Sequence, residues 1–322
     1  MLNAFHFDTL VWDWPIAIYL LLVGISAGMI TLTMLLKYYV PAEYSSKNPI
    51  AIATAIVAPL SVMVGLIILL FHLTRPMTFW YLMVFYNPGS IMSLGVMLFQ
   101  VYFVFIILWL VSLYRDELLT LVSKFNNGGL LSLVRNLSAI IQKRISWFKN
   151  TLLVLAILLG CYTGFLLSAL KSFPMLNNPV LPVLFLASGT TSGIAVALLA
   201  GAMNRQFIGE HKGTLHFIHI HKIENPVVFA EIFLLFAFFV GLLLGGGQKN
   251  LSAHNALTGF WGGVFWIGVI GVGIAVPLIA GFLRSHDSAP SRKQMAFMAG
   301  LSLLGVFLLR MFVLYAGQMT VA

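Results

Sequence analysis

The chain has 322 residues, of which 60% are hydrophobic and only 8% are charged. This balance lies far outside that of soluble domains and predicts an integral membrane protein. The formal net charge of +9 does not indicate nucleic-acid binding, because Lys and Arg of membrane proteins collect in loops, where they set topology and contact anionic headgroups.

Eight apolar runs are each long enough for the roughly 20 residues that cross a bilayer as a helix. The first run is predicted to be a retained span, because the fourteen residues before it carry no Lys or Arg and so lack the basic start of a signal peptide. In chain order, we predict spans at about 15–37, 50–72, 91–113, 150–170, 180–203, 226–245, 261–283 and 295–316. The fold class is therefore an all-α integral membrane protein with eight transmembrane helices.

Lys and Arg lie mainly on one side of these spans. Of the 18 such residues, fourteen fall in or beside the loops after spans one, three, five and seven. The opposite side has only Arg75, Lys171 and Lys249, and Arg310 lies inside the last span. The positive-inside rule therefore predicts that both termini are periplasmic. The fourteen are Lys37, Lys47, Arg115, Lys124, Arg135, Lys143, Arg144, Lys149, Arg205, Lys212, Lys222, Arg284, Arg292 and Lys293.

The longest loop, 114–149, mixes basic and apolar residues. We expect short amphipathic helices along the cytoplasmic interface, split at Asn126-Asn127-Gly128-Gly129. A solvated tether is the alternative.

Paired motifs suggest an internal duplication. The pairs are Gly24/Gly28 with Gly189/Gly193, Asn48-Pro49 with Asn225-Pro226 at the starts of spans two and six, Val64-Gly65-Leu66 with Val240-Gly241-Leu242, and Tyr162-Thr-Gly164 with Tyr315-Ala-Gly317. They predict two four-helix bundles in the same orientation. The first would comprise residues 1–113 and 150–171, the second residues 172–322, with 114–149 as the cytoplasmic linker.

Five polar residues are predicted to gather at the outer face of the first bundle. Asp13 opens span one, His72 closes span two, Arg75 follows it, and Tyr162 and Lys171 lie toward the outer end of span four. Each alone is compatible with an ordinary interface residue. As a group, they are the candidate functional site.

Three polar residues lie deeper. Gln100 is near the middle of span three, Glu231 is near the cytoplasmic end of span six, and Arg310 is near the outer end of span eight. The depths of Glu231 and Arg310 differ by roughly 12–15 Å at 1.5 Å per residue, so a direct pair is not expected. The three residues are a candidate proton path, although Gln100 could simply hydrogen-bond a neighbouring helix.

The histidines do not favour haem, since only His72 lies near a span. Four others, His211, His216, His219 and His221, cluster in a predicted cytoplasmic loop without an acid or cysteine pattern, which favours a solvated loop over a metal site. The single cysteine, Cys161, excludes an iron–sulfur centre built from this chain alone. We therefore expect no metal and no covalently bound cofactor.

The outer residues suit oxidation of a lipid-soluble quinol, which releases two protons and two electrons. Asp13 and His72 are suitable proton acceptors. Arg75 or Lys171 could keep the carboxylate ionised or bind a quinone carbonyl, and Tyr162 could donate a hydrogen bond to one. Without a redox centre in this chain, electrons would pass directly to the cofactor of a partner docked at the outer face.

At these residues the chain resembles the NrfD/PsrC family of quinone-reactive membrane subunits, in particular its branch that works in formate-dependent nitrite reduction. The resemblance covers essentially the whole chain. It rests on FHFDTLVWDWPIAIY at 5–19, FHLTRP at 71–76, YTGFLLSALK at 162–171, NPVLPVLF at 178–185 and LYAGQMTVA at 314–322.

The resemblance implies eight helices in two bundles, no bound haem, and a menaquinol site near the periplasmic face of the first bundle. Family site residues match Asp13 and Tyr162 here, although the polysulfide reductase branch uses a different polar set before span one. The implied partners are a periplasmic ferredoxin-like protein with four-iron clusters and then a multihaem cytochrome c. The implied location is the bacterial inner membrane.

We therefore expect a subunit that oxidises menaquinol and passes electrons to a periplasmic iron–sulfur partner in respiratory nitrite reduction to ammonia. One alternative is the quinone-reactive anchor of a polysulfide- or thiosulfate-type molybdoenzyme. A secondary transporter, which the repeated halves with Glu231 and Arg310 would favour, and a passive anchor are the others. Coupling to a proton gradient stays open.

Overall fold

The computed structural model describes residues 4–39, 48–73, 75–124, 128–203, 211–283 and 291–322, and all its regular elements in these ranges are helical. The helices are α1 (Trp14–Tyr39), α2 (Pro49–Phe71), α3 (Phe79–Val84), α4 (Ile91–Leu113), α5 (Arg115–Lys124), α6 (Gly128–Lys143), α7 (Ile145–Ser168), α8 (Leu181–Met203), α9 (His211–Leu244), α10 (Gly247–Leu257), α11 (Gly259–Gly263), α12 (Val276–Phe282) and α13 (Arg292–Gln318). A 3₁₀ turn at Pro76–Thr78 precedes α3, and a π-helical stretch, Val264–Ala275, joins α11 to α12.

Eight segments are long and apolar enough to cross a membrane, as predicted. They are Trp14–Leu36, Pro49–Phe71, Ile91–Leu113, Ile145–Ser168, Leu181–Met203, Ile223–Leu244, Gly259–Gly281 and Arg292–Gln318. Their starts agree with the predicted starts to within five residues. The prediction of an all-helical, multi-pass membrane protein is therefore confirmed.

Local sequence explains where two of these helices begin. The Asn48 side chain accepts a hydrogen bond from the Ile50 amide at 2.9 Å, and Pro49 occupies the first helical position of α2, where no amide hydrogen is needed. Ser291 and Gln294 form a capping box at the start of α13. Each arrangement satisfies amide groups that would otherwise lack partners.

Two spans differ from the prediction. The Asn-Pro pair at 225 does not begin a helix, because α9 starts at His211 and runs through Pro226. An interior proline costs a helical hydrogen bond but does not stop a helix that packing holds on both sides. The seventh span is not a plain α-helix, since its glycine-rich middle is π-helical, a form often found as a bulge within α-helices.

The two small-residue motifs of the predicted duplication pack against each other. A Cβ added to Gly24 would lie 3.3 Å from the Gly189 Cα, and one added to Gly193 would lie 2.2 Å from the Gly28 carbonyl carbon. Gly24 therefore faces Gly189 and Gly28 faces Gly193, so α1 and α8 run parallel and in register. These two helices are also the most deeply buried spans, with 83% and 72% of their apolar windows inside the protein.

The loop after α4 contains two helices, α5 and α6, as predicted. Its Asn126-Asn127 break falls outside the described residues, which resume at Gly128. The side chains of the four clustered histidines, His211, His216, His219 and His221, are also outside the described part of the structure.

Candidate functional site

The start of α1 and the end of α2 meet through an acid and a histidine. The His72 Nε2 lies 2.8 Å from the Asp13 Oδ1. Asp13 directly precedes α1, where its carbonyl accepts a bond from the Ile16 amide at 3.0 Å. His72 caps α2, and its amide donates to the Leu69 carbonyl at 3.1 Å. Two residues that are 59 positions apart thus form one polar pair at the N-terminal face, the face where α1 begins and α2 ends.

Arg75 and Lys171 lie in connections at the same face, but their side chains do not join this pair. Arg75 precedes the 3₁₀ turn, and its carbonyl accepts a hydrogen bond from the Thr78 amide. Both side chains are exposed. Within the described residues, neither side chain forms a hydrogen bond or an ion pair with Asp13 or His72. They can reach a ligand from solvent only by moving toward it.

Tyr162 lies deeper, on the buried side of α7. Its ring packs edge-on against Phe99 with the centroids 5.7 Å apart. The ring also covers Gly95 so closely that a Cβ there would lie 1.9 Å from the Tyr162 Cζ. Phe99 in turn lies 6.5 Å from Tyr19 of α1, measured between ring centroids. Tyr162 is therefore part of an aromatic layer between α1, α4 and α7.

Tyr19 is a residue that sequence reasoning did not single out. It is fully buried, and its hydroxyl has no hydrogen-bond partner in the structure. Its ring lies against Gly65, where an added Cβ would be 3.4 Å from the Tyr19 Cδ2. Gly65 is two helical turns from His72 on the same face of α2, about 10 Å away along the axis. Since a buried hydroxyl without a partner is costly, Tyr19 can offer a hydrogen bond to a ligand below the polar pair.

Gln100 contacts the connection before its own helix. Its Oε1 accepts a hydrogen bond from the Tyr86 hydroxyl, and its Nε2 donates to the Met83 carbonyl at 3.2 Å. Both ends of the amide are therefore used to hold α3 and Tyr86 against α4. The connection itself is rich in exposed aromatic residues, including Trp80 and Phe85.

Glu231 and Arg310 are both buried and both bound to α8. The Thr191 hydroxyl donates to the Glu231 Oε2 at 2.8 Å. The Arg310 Nη2 donates to the Phe185 carbonyl at 3.1 Å, and its guanidinium lies 3.6 Å from the centroid of the Phe185 ring. The two attachment points are six residues apart along α8, about 9 Å of helix. The described residues include no ion pair between Glu231 and Arg310, and the Nε and Nη1 of Arg310 have no partner.

Comparison with known proteins identifies the family of this protein. The family model described as "Polysulphide reductase, NrfD" matches residues 2–322. Protein NrfD of Escherichia coli is 49% identical over 99% of both sequences. The Protein NrfD homolog of Haemophilus influenzae is 48% identical over 99% of this chain and 98% of its own. The C subunit of polysulfide reductase from Wolinella succinogenes is 39% identical over 97% of this chain and 96% of its own.

The eight apolar helices and these matches define a multi-pass inner-membrane protein. More particularly, the chain belongs to the NrfD family over its whole length. The resemblance predicted from the sequence is confirmed, and with it the expectation of a quinone-reactive membrane subunit.

Proposed function

We propose that this chain oxidises menaquinol at the N-terminal face and passes the electrons to an iron–sulfur partner in respiratory nitrite reduction to ammonia. The observation that carries this proposal is the Asp13–His72 pair, a carboxylate and an imidazole in direct contact beside exposed surface. In this proposal menaquinol is the substrate, and the protein needs no metal and no covalently bound cofactor of its own.

The pair suits a reaction that releases two protons and two electrons for each quinol. In the tautomer whose Nε2–H donates to Asp13, His72 keeps Nδ1 free to accept a proton from a quinol hydroxyl. The imidazolium so formed is stabilised by the Asp13 carboxylate. The second hydroxyl releases its proton to the free oxygen of Asp13 or to water. The electrons leave one at a time to the partner's cluster, and the oxidised product is the quinone.

The NrfD names of two relatives favour nitrite reduction as the pathway. The match to the polysulfide reductase subunit keeps a second terminal reaction in view, in which this protein is the quinone-reactive anchor of a molybdoenzyme. We propose a periplasmic ferredoxin-like four-iron cluster protein, followed by a multihaem cytochrome c, as the partners. Genes adjacent to the coding sequence distinguish the two pathways, since they encode either this pair of proteins or a molybdoenzyme.

Substitution of the pair tests the proposed site. We expect Asp13→Asn and His72→Gln to lower quinol oxidation by about 10²- to 10⁴-fold, the usual contribution of positioned acid–base groups, with unchanged protein in the membrane. Asp8→Asn and His6→Gln are matched controls, because both residues are exposed in the same N-terminal segment. Full activity of both Asp13→Asn and His72→Gln would overturn the site.

We propose that both termini are periplasmic and that the helices form two bundles, residues 1–113 with 150–171 and residues 172–322. The parallel, in-register contact of α1 with α8 supports a duplication of this kind. In a Cys161→Ser background, a membrane-impermeant maleimide should label Val11→Cys in cells with a permeabilised outer membrane. Ser132→Cys in the α6 loop should react only after the inner membrane is opened. The reverse pattern would refute the orientation.

We further propose Glu231 and Arg310 as parts of a proton path, a role we do not extend to Gln100 because its amide is engaged by Tyr86 and Met83. The supporting observation is that the described residues leave two buried donors of Arg310 unpaired. Glu231→Gln should abolish any proton transfer coupled to quinol oxidation in proteoliposomes while the electron-transfer rate persists. Undiminished coupling in Glu231→Gln would contradict this role.

A further inference from the structure

The last helix holds the segment that carries Asp13. Gln318, the final residue of α13, is completely buried. Its Oε1 accepts hydrogen bonds from the amides of Val11 and Trp12 at 2.9 and 3.0 Å. Its Nε2 donates to the carbonyls of Trp12 and Leu314 at 2.8 and 2.9 Å. All four hydrogen-bonding positions of this amide are therefore used.

Two further bonds join α13 to the same segment. The Thr9 hydroxyl donates to the Gln318 backbone carbonyl at 2.7 Å. The Trp14 amide donates to the Tyr315 hydroxyl at 3.0 Å. The residues immediately before and after Asp13 are thus both fixed by α13, while the Asp13 side chain points to His72 of α2.

Apolar packing secures the same contact. Phe5 lies edge-on against Phe260, Trp261 and Tyr315, with ring centroids 5.3 to 5.5 Å apart. Trp261 stacks on Tyr315 at 4.9 Å and donates from its indole to the Ala4 carbonyl at 3.0 Å. The opening and closing segments of the protein, which carry much of the family resemblance, therefore bind each other.

We propose that Gln318 is a positioning residue of the quinol site, whose amide holds the segment before α1 so that the Asp13 carboxylate meets His72. This inference rests on the proposed role of the Asp13–His72 pair. The segment before α1 has little regular structure of its own to fix Asp13, so hydrogen bonds from outside must set its backbone. A displacement of about 1 Å in a catalytic group can reduce a rate by as much as 10²-fold.

A neutral amide is the side chain this position requires. It must accept from two amides and donate to two carbonyls at the same time. A glutamate could accept but could not donate, and it would bury a charge against the carbonyls of Trp12 and Leu314. A methionine would fill similar space but leave four backbone groups without partners. The proposal therefore predicts that Gln318→Glu and Gln318→Met both release the segment.

The test uses the full-length protein, purified with its electron-accepting partner in lipid nanodiscs. Hydrogen exchange of a peptide covering residues 9–14 reports the clamp, and oxidation of a soluble menaquinol analogue reports the site. Thr320→Val is the matched control, because Thr320 lies in the same tail and accepts from Asn255 rather than from the N-terminal segment. Thr9→Val is a milder second variant that removes one bond to Gln318.

We expect Gln318→Met to speed exchange at residues 9–14 and to lower quinol oxidation by at least about 10-fold, with Thr320→Val unchanged in both. In an Asp13→Asn background, Gln318→Met should cause no further loss, because there is no carboxylate left to position. If Gln318 variants fail to accumulate, Thr9→Val should show the same pattern with a smaller fall.

Faster exchange with an undiminished rate, or a full additional loss in the Asp13→Asn background, would overturn the positioning role. Those results would leave the proposed function standing as long as Asp13→Asn itself is inactive. Full activity of Asp13→Asn would instead overturn the proposed function and the positioning role together.

Discussion

The crossing of α1 and α8 depends on glycine at position 28. A Cβ added there would lie 2.1 Å from the carbonyl oxygen of Gly189 and 2.9 Å from its carbonyl carbon. Real Cβ atoms essentially never approach another atom closer than 3.0 Å. The two backbones would therefore have to separate by roughly 0.9 Å, the difference between 3.0 and 2.1 Å. Because the obstacle is backbone, no side-chain rotation relieves it.

We expect Gly28→Ala to destabilise the protein by about 1–3 kcal/mol, the usual cost of overpacking a well-packed interior. Gly241→Ala is the matched control, since an added Cβ at that helical glycine of α9 meets nothing within 4 Å. Alanine has the higher helix propensity, so this control should be neutral or slightly stabilising.

Equilibrium unfolding in mixed detergent–SDS micelles measures both variants, with helicity and tryptophan fluorescence as probes. The free energy of unfolding should fall for Gly28→Ala and not for Gly241→Ala. Equal stability of the two variants would refute the close parallel crossing, and with it the support that this contact gives to a duplicated architecture.

Two further predictions concern single side chains. Gly95→Ala should displace Tyr162, because an added Cβ would overlap its ring; the KM for quinol should then rise to a similar extent in Gly95→Ala and Tyr162→Phe, and a normal KM in both would exclude Tyr162 from the site. Gln100→Leu should speed hydrogen exchange at residues 79–86 and leave quinol oxidation unchanged, because its amide holds only the connection before α4; a loss of activity would assign it a role in the reaction.

Much of the fold could be predicted because transmembrane spans are encoded locally. A helix that satisfies its own backbone needs only enough apolar residues to cross the lipid, and the eight predicted spans match the structure. The pairing of Asp13 with His72 could also be anticipated, since the positive-inside rule put both residues at one face. Pro226 shows the limit of local rules, because it resembles a helix start but lies inside α9.

The remaining features depend on how each helix is rotated and on contacts between distant segments. Gln318 looks like an ordinary C-terminal residue, and only the folded protein brings it to Val11 and Trp12. Tyr19 differs from other aromatic residues of α1 only in that its buried hydroxyl lacks a partner. A contact between Gly273 and Gly305, where an added Cβ would lie 2.5 Å from the opposite Cα, likewise has no local signal.

The proposed function is tested most directly by the cofactor spectrum of a co-purified partner. The protein, isolated from its native membrane with whatever it binds, is mixed anaerobically with a menaquinol analogue while absorption of iron–sulfur clusters is recorded. The account predicts cluster absorption that bleaches with quinol in the wild-type complex and in Asp8→Asn, and that does not bleach in Asp13→Asn or His72→Gln. A complex without cluster absorption, or bleaching that is independent of Asp13 and His72, would contradict it.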